Sequence, residues 1–288
     1  MPQADQLALV LLNGVTFGML LFLLAAGLVL MLGAMNIVNL AHGSFYMLGG
    51  FVGVAVAAKT GNFALAVLAG MGAVGFLGLV VERFFLRYLR DQMAQVLLTL
   101  GFVYIISDLA RTVWGSDPLS LAPPSFLAGQ IGIGDSFEYP VYRLALIGFS
   151  LLVWVGLWLF LERTRLGAIV RAGADDKEMV AGLGINIKVV FTAVFTLAAL
   201  LAGLAGVVGT RVFTASLTLD WQVLGLALVV MVVGGVRSLH GVLLGSLLIG
   251  LVDRIGTFFV PELAMFLIFG AMALVLVLRP YGIIREHA

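Results

Sequence analysis

Apolar segments long enough to enter a bilayer follow one another along nearly the whole chain, parted only by short polar interruptions. They lie near 7–32, 36–58, 62–81, 93–114, 141–161, 186–210, 221–236, 241–259 and 262–278. Crossing the hydrocarbon takes about 20 mainly apolar residues, and a chain in that medium must satisfy its own backbone N–H and C=O groups, which a helix does internally. Composition agrees: 62% of the residues are hydrophobic and 11% charged, against about 25% charged in soluble domains. The sequence therefore predicts an all-α, polytopic transmembrane helical bundle of eight or nine spans, a single domain over 1–288. Outer-membrane barrels, secreted scaffolds and DNA-binding modules are excluded. A net charge of +1 offers nothing to nucleic acid, and with no cysteine thiolate chemistry and Cys-ligated metals drop out. The opening MPQADQLALVLLNG has Asp5 and no basic residue before its apolar run, unlike a signal peptide, and is expected to stay as the first helix.

Orientation follows from the basic residues, which are retained on the cytoplasmic side when they flank a span. Arg83, Arg87 and Arg90 mark one cytoplasmic loop, and Arg163, Arg165, Arg171, Lys177 and Lys188 a second, at 162–188. The loop at 115–140 has Asp117, Asp135 and Glu138, several prolines and no Lys or Arg, so it is expected outside as an extended excursion. Threading from these anchors puts the N-terminus outside and the C-terminal tail, with Arg279 and Arg285, in the cytoplasm. Nine spans satisfy every anchor. The stretch 221–260 is interrupted by VRSLHG and then by Asp253-Arg254, which keeps eight open.

Small residues recur at helical spacing: Gly14 and Gly18, Gly49 and Gly53, Gly241 and Gly245, Ser246 and Gly250, with Gly203, Gly206 and Gly209 three apart. Such spacings let helix backbones approach closely in lipid, within the chain or across a dimer seam. In the loop at 162–188, Asp175 can cap a short helix with Asp176 and Glu178 in its first turn, where the helix dipole favours acids, and Gly184 can close it. Met179, Val180 and Leu183 would form an apolar contact set for docking another subunit; a solvated connector is the plainer alternative.

Arg171-Ala172, then Asp175, then Ala181-Gly182-Leu183-Gly184-Ile185-Asn186 resemble the cytoplasmic coupling loop of membrane permease subunits of the bacterial branched-chain amino acid ABC importer family. NLAHG at 39–43 and GGVRSLHG at 234–241 resemble the same family's N-terminal and C-terminal signatures, so the resemblance runs nearly the whole chain in order. It implies an inner-membrane permease that pairs with a second related permease, a heterodimer being favoured over a homodimer. It also implies two cytoplasmic P-loop ATPase subunits and a periplasmic solute-binding protein. The chain itself has no G-x-x-x-x-G-K-[ST], so it cannot bind ATP by a P-loop. ATP and Mg would be bound by the partners and no cofactor by this chain. Arg171, Ala172, Asp175, Glu178, Met179, Leu183 and Gly184 are the expected ATPase-coupling residues.

The stretches 28–43 and 228–241 each run from an apolar segment into a His-Gly turn that opens another small-residue-rich segment. Interrupted hydrophobic segments at corresponding places point to a translocation path. Asn36, Asn39 and His42 follow at intervals of three, as along one helical stripe, and polar groups in hydrocarbon must find partners or line a cavity. Asn36, Asn39, His42, Gly43 and Phe45 are thus candidates for the substrate path, beside the alternative that Asn and His only satisfy backbone at a helix break. Asp108 and Arg111 read as an i,i+3 ion pair, and Asp253-Arg254 as a helix end. No G-x-S-x-G or H-E-x-x-H is present, which argues against an enzyme. The functional expectation is an importer subunit for branched-chain or other small neutral amino acids. A family member for urea or short amides, or a stand-alone carrier or channel in the membrane lipid, is the rival reading.

Overall fold

The apolar runs become helices because hydrocarbon allows them no other way to satisfy the backbone. The computed structural model describes residues 3–89, 91–133 and 137–284. In chain order the helices are α1 (Gln3–Met35), α2 (His42–Thr60), α3 (Phe63–Phe84) and α4 (Gln92–Trp114). A hairpin of β1 (Gln130–Ile133) and β2 (Phe137–Pro140) follows. Then come α5 (Val141–Arg163), α6 (Arg165–Asp175), α7 (Lys177–Gly182), α8 (Ile187–Gly209), α9 (Leu219–Gly234), α10 (Leu239–Phe259) and α11 (Ala264–Leu278). Each of the nine apolar segments predicted from sequence is a helix here, and the chain is a multi-pass helical membrane protein.

Seven of them, α1, α3, α4, α5, α8, α10 and α11, are long and apolar enough to cross a bilayer. The other two, α2 and α9, begin in the interior. At 1.5 Å per residue, α1 is about 50 Å long. His42, the first residue of α2, bonds through Nε2 to the carbonyl of Leu24 at 2.9 Å, eleven residues or about 16 Å short of the end of α1. The segment 36–41 therefore climbs back along α1 before α2 starts, and the 16-residue α9 starts beside it. The polar break is sealed from water and lipid by α1, which is buried at every position from 16 to 31. A helix apolar on all sides belongs in such a centre; α4, α5 and α11 are largely exposed and lie at the periphery.

Small residues make that packing possible. A Cβ on Gly18 would stand 2.7 Å from the Ser246 carbonyl oxygen of α10, and one on Gly49 2.6 Å from the Cα of Gly203 in α8. Gly234 meets Gly241 and Gly245 where α9 turns into α10. All the glycine pairs singled out in the sequence are thus spent on contacts within the chain.

Four expectations are corrected. The loop 115–140 is not merely extended: β1 and β2 pair antiparallel, and a bridge joins Leu119 to Ala215, so among the described residues the molecule is all-α except for these pairings. Its anchor is Tyr139, fully buried, with its hydroxyl 2.8 Å from that of Thr16 on α1. The single short helix expected at 162–188 is two, α6 and α7, and it is Asp176, not Asp175, that caps the second: its Oδ1 accepts from the N–H groups of Glu178 and Met179, both at 2.9 Å. Asp175 ends α6 instead. Asp253 and Arg254 sit inside α10 rather than at a helix end, paired at 3.2 Å, with the Arg254 guanidinium 4.3 Å over the Phe17 ring. Asp108 and Arg111 are both exposed and make no ion pair with each other or with another described residue within 4 Å. Arg90, Asp135 and Arg285 lie outside the described residues.

The close approach of α1 and α10 predicts that Gly18→Val lowers the thermal inactivation midpoint of the detergent-purified protein by several degrees. Gly72→Val, where a Cβ meets nothing within 4 Å, is expected to leave it unchanged.

Candidate functional site

The site is built on two helix interruptions and on the loop that holds them from one end of the bundle. At the first interruption Asn36 takes φ 57°, the one positive φ among described non-glycine residues, and this left-handed residue turns the chain back. Asn, whose short side chain tolerates that region, suits the position. Asn39 is buried: its Oδ1 accepts from the Ala41 N–H at 3.0 Å and its Nδ2 faces the Met31 sulfur at 3.4 Å. His42 is wholly buried. Since a carbonyl can only accept, Nε2 donates to Leu24 and the neutral ring leaves Nδ1 as an acceptor, which has no donor in reach. Phe45 is also fully buried, edge-on to Phe195 of α8. The expected helical stripe of Asn36, Asn39 and His42 is not formed, because the backbone before His42 is not helical; Asn36 faces outward while the other two face the core.

Gly43 brings the two short helices together. A Cβ there would collide with the carbonyl oxygen of Asp220 on α9. The Asp220 carboxylate, 3% exposed, accepts from Ser107 Oγ at 2.8 Å, from Ser44 Oγ at 3.4 Å and from the Trp221 N–H at 2.8 Å. No described cation pairs with it. The carboxyl group lies instead at the N-terminal ends of α2 and α9, where helix dipoles favour an acidic side chain. Ser107 belongs to α4, and two turns earlier Thr99 accepts from the Leu40 N–H at 3.3 Å. One face of the peripheral α4 thus reaches both the first interruption and the start of α9. Sequence reasoning missed Asp220, Ser44 and Ser107. The one available signal was an isolated carboxylate at the head of an otherwise apolar run, TLDWQVLGLALVV.

At the other end, α6 and α7 pack across the foot of the bundle. Lys177 Nζ donates to the Met35 carbonyl at 3.1 Å, a cation on the last carbonyl of α1 just before the first interruption. Asp175 pairs with Arg237, in the turn between α9 and α10, at 3.8 Å. Arg171 donates to the Leu161 carbonyl and pairs with Glu162 at 3.5 Å, fixing α6 to α5. Ala172 is half-buried between them. Of the apolar set, Val180 is buried at 1% whereas Met179 and Leu183 are exposed at 52% and 71%, so two residues, not three, are presented outward. Glu178 is exposed, and Gly184, at φ 79°, closes α7. The same end holds Arg87, which reaches Thr192 Oγ1 at 2.5 Å and the buried Glu82 at 3.6 Å. The C-terminal segment joins it through the N–H of Ile283 on the Val233 carbonyl at 2.9 Å.

Residues 10–278 match the family model of the branched-chain amino acid transport system permease component. The chain belongs to this family. It is 29% identical to the high-affinity branched-chain amino acid transport system permease protein BraD of Pseudomonas aeruginosa, over 99% of this chain and 97% of that one. It is 27% identical to LivH of Escherichia coli K12, over 94% and 93%. Among solved structures, PsaBC from Streptococcus pneumoniae in complex with Fab aligns over 92% of this chain and 89% of that one, with a TM-score of 0.51 at 13% identity, a likeness of fold. The permease component is accordingly the membrane subunit of an ABC importer. Within this permease both interrupted segments carry the family-like signatures, and both are held by the loop that follows α5.

If Asp220 acts as a shared hydrogen-bond acceptor, Asp220→Ala should destabilise the permease by about 1–3 kcal/mol, the cost of orphaning buried donors. Asp220→Asn should recover at least half of that, read from thermal inactivation of the purified protein.

Proposed function

We infer that this permease carries branched-chain or other small neutral amino acids across the bacterial inner membrane, driven by ATP hydrolysis in partner subunits. The observation that carries the reading is that one loop, resembling the family's coupling loop, is bonded directly to both helix interruptions: Lys177 to the end of α1 and Asp175 to the α9–α10 turn. A push on α6 and α7 therefore reaches both places where the interior is polar. The family match supports the substrate class, through relatives named for high-affinity branched-chain amino acid transport.

The proposed topology places the foot of the bundle, with Arg83, Arg87, Arg163, Arg165, Arg171, Lys177, Lys188, Arg237 and Arg279, in the cytoplasm, as the positive-inside bias favours. The N-terminus and the β1–β2 hairpin then lie outside. Two P-loop ATPases would dock on the exposed Met179 and Leu183 with Arg171, Ala172, Asp175, Glu178 and Gly184 around them, and would bind ATP and Mg. The pore would be shared with a second, related permease, and a periplasmic binding protein would deliver the solute to the outer face. Asn39, His42, Gly43 and Phe45 act from inside the protomer: they shape the break whose movement opens the path, with Asn36 at its cytoplasmic lip.

Two measurements test this. Leu183→Asp, a charge placed on an exposed side chain of the docking face, should abolish co-purification of the ATPases while leaving the permease folded in the membrane; retained ATPase at wild-type stoichiometry overturns the coupling assignment. His42→Ala and Asn39→Ala should reduce ATP-driven leucine uptake at least tenfold in complexes that still assemble. Wild-type uptake in either would show that the break plays no part in the path.

A further inference from the structure

Beside the coupling loop lies a cavity of ≈ 370 Å³ between α1, α5, α6 and the α9–α10 turn, within the range of about 300–1,000 Å³ usual for small-molecule sites. Its floor and wall are apolar, with Val29 and Gly33 of α1, Trp158 of α5 and Leu239 of α10. Its rim carries both signs of charge: Arg171 with Glu162 at 3.5 Å and Arg237 with Asp175 at 3.8 Å. A cavity that needed only an acyl chain would not want paired charges of both signs, and one for an anion would not want the two carboxylates. The complementary ligand is a small zwitterion with an aliphatic body. Its carboxylate would face an arginine, its ammonium an acid, and its side chain Trp158 and Val29. The rim pairs are 45–63% exposed and contribute little to stability, so exchanging them for a ligand's charges costs little.

We propose that this cavity is a second, cytoplasm-facing site for a branched-chain amino acid, at which accumulated product ties α6 to α5 and to the α9–α10 turn and slows the importer. The ligand would join the coupling loop to elements it must move against, so occupancy restrains the motion that ATP hydrolysis drives. The proposal rests on the cytoplasmic placement of α6 in the reading above, and the deeper function is regulation of that same transport by its own product.

The test uses the assembled importer, purified without its binding protein, titrated calorimetrically with leucine, with 4-methylpentanoate, which lacks the ammonium, and with isopentylamine, which lacks the carboxylate. ATP hydrolysis is followed in proteoliposomes with leucine on the ATPase side. The expected result is saturable leucine binding, at least tenfold weaker binding of both analogues, and a several-fold fall in hydrolysis. Ala174→Trp, which fills the cavity from α6, should remove leucine binding and the leucine-dependent fall in hydrolysis together. Trp158→Ala, which strips the apolar wall from α5, should weaken binding and serves if the bulky variant does not assemble. Analogues that bind as well as leucine, binding that survives both variants, or a tightly held phospholipid in the cavity that leucine does not displace would each overturn the proposal. ATPase co-purification in the same preparations reports on the coupling reading separately: a wild-type importer that binds no leucine with its ATPases still attached refutes only the second site.

Discussion

Everything in this fold answers to one constraint: polar backbone exposed at an interrupted helix has to be satisfied where no water can do it. The six residues between α1 and α2 free several N–H and C=O groups inside the bundle, and the chain meets the demand with its own atoms. Asn39 takes the Ala41 N–H, Thr99 takes that of Leu40, and His42 donates to a carbonyl in the middle of α1. Those bonds dictate what must lie around them. α1 has to be apolar on every side because it forms the wall of the break, and glycines must line α2, α8, α9 and α10 because only close backbones exclude lipid from it. Asp220 is a second consequence. A carboxylate buried without a cation would ordinarily be costly, and here it is held by two hydroxyls, a backbone N–H and two helix N-termini.

Which parts of this were legible in the sequence follows from what each signal depends on. The nine apolar helices were, because apolar length is a property of the chain alone. That two breaks exist was, because Asn, His, Arg and Gly cannot continue an apolar segment unnoticed, but the sequence puts them at the His-Gly pairs, whereas the structure breaks the chain earlier, at 36–41 and 235–238, with His42-Gly43 and His240-Gly241 already in the first turns of α2 and α10. Their internal geometry was not: the even spacing of Asn36, Asn39 and His42 suggests a stripe, yet a single left-handed residue at Asn36 removes the helix that a stripe requires. The capping position shifted by one residue for a related reason. Asp175 and Asp176 are equivalent to a pattern, and what separates them is that α6 runs on to Asp175 before its neighbour can turn the chain. Asp220 was illegible as a partner of Ser44 and Ser107, residues 176 and 113 positions away, since only the folded bundle brings α2, α4 and α9 to one point.

The ties at the foot of the bundle differ in kind, and the difference suits a joint that must both transmit and give. Lys177 on the Met35 carbonyl completes the end of a buried helix, and Arg87 ties the α3–α4 loop to α3 through Glu82, the pair exposed 15% and 4%, in surroundings that screen charge poorly, and to α8 through Thr192. These contacts behave as parts of the rigid body. Asp175 with Arg237 and Arg171 with Glu162 are open to solvent, where such pairs are worth about 0–1 kcal/mol. They position α6 without locking it, and on the proposed coupling they would give way readily under load. A load applied to α7 would therefore first slide α6 over the α9–α10 turn, while the Lys177 contact carries the remainder into α1. Because α1 is packed along almost its full length, it cannot bend to absorb that load. On the proposed coupling the movement would pass to the least constrained element along the break: α4, which is joined to it through Thr99 and Ser107 and otherwise lies at the periphery. The direction of travel would thus be set by where the packing is densest, from a soft surface joint, past a tightly packed core helix, to an outer helix held on polar ties that can exchange partners.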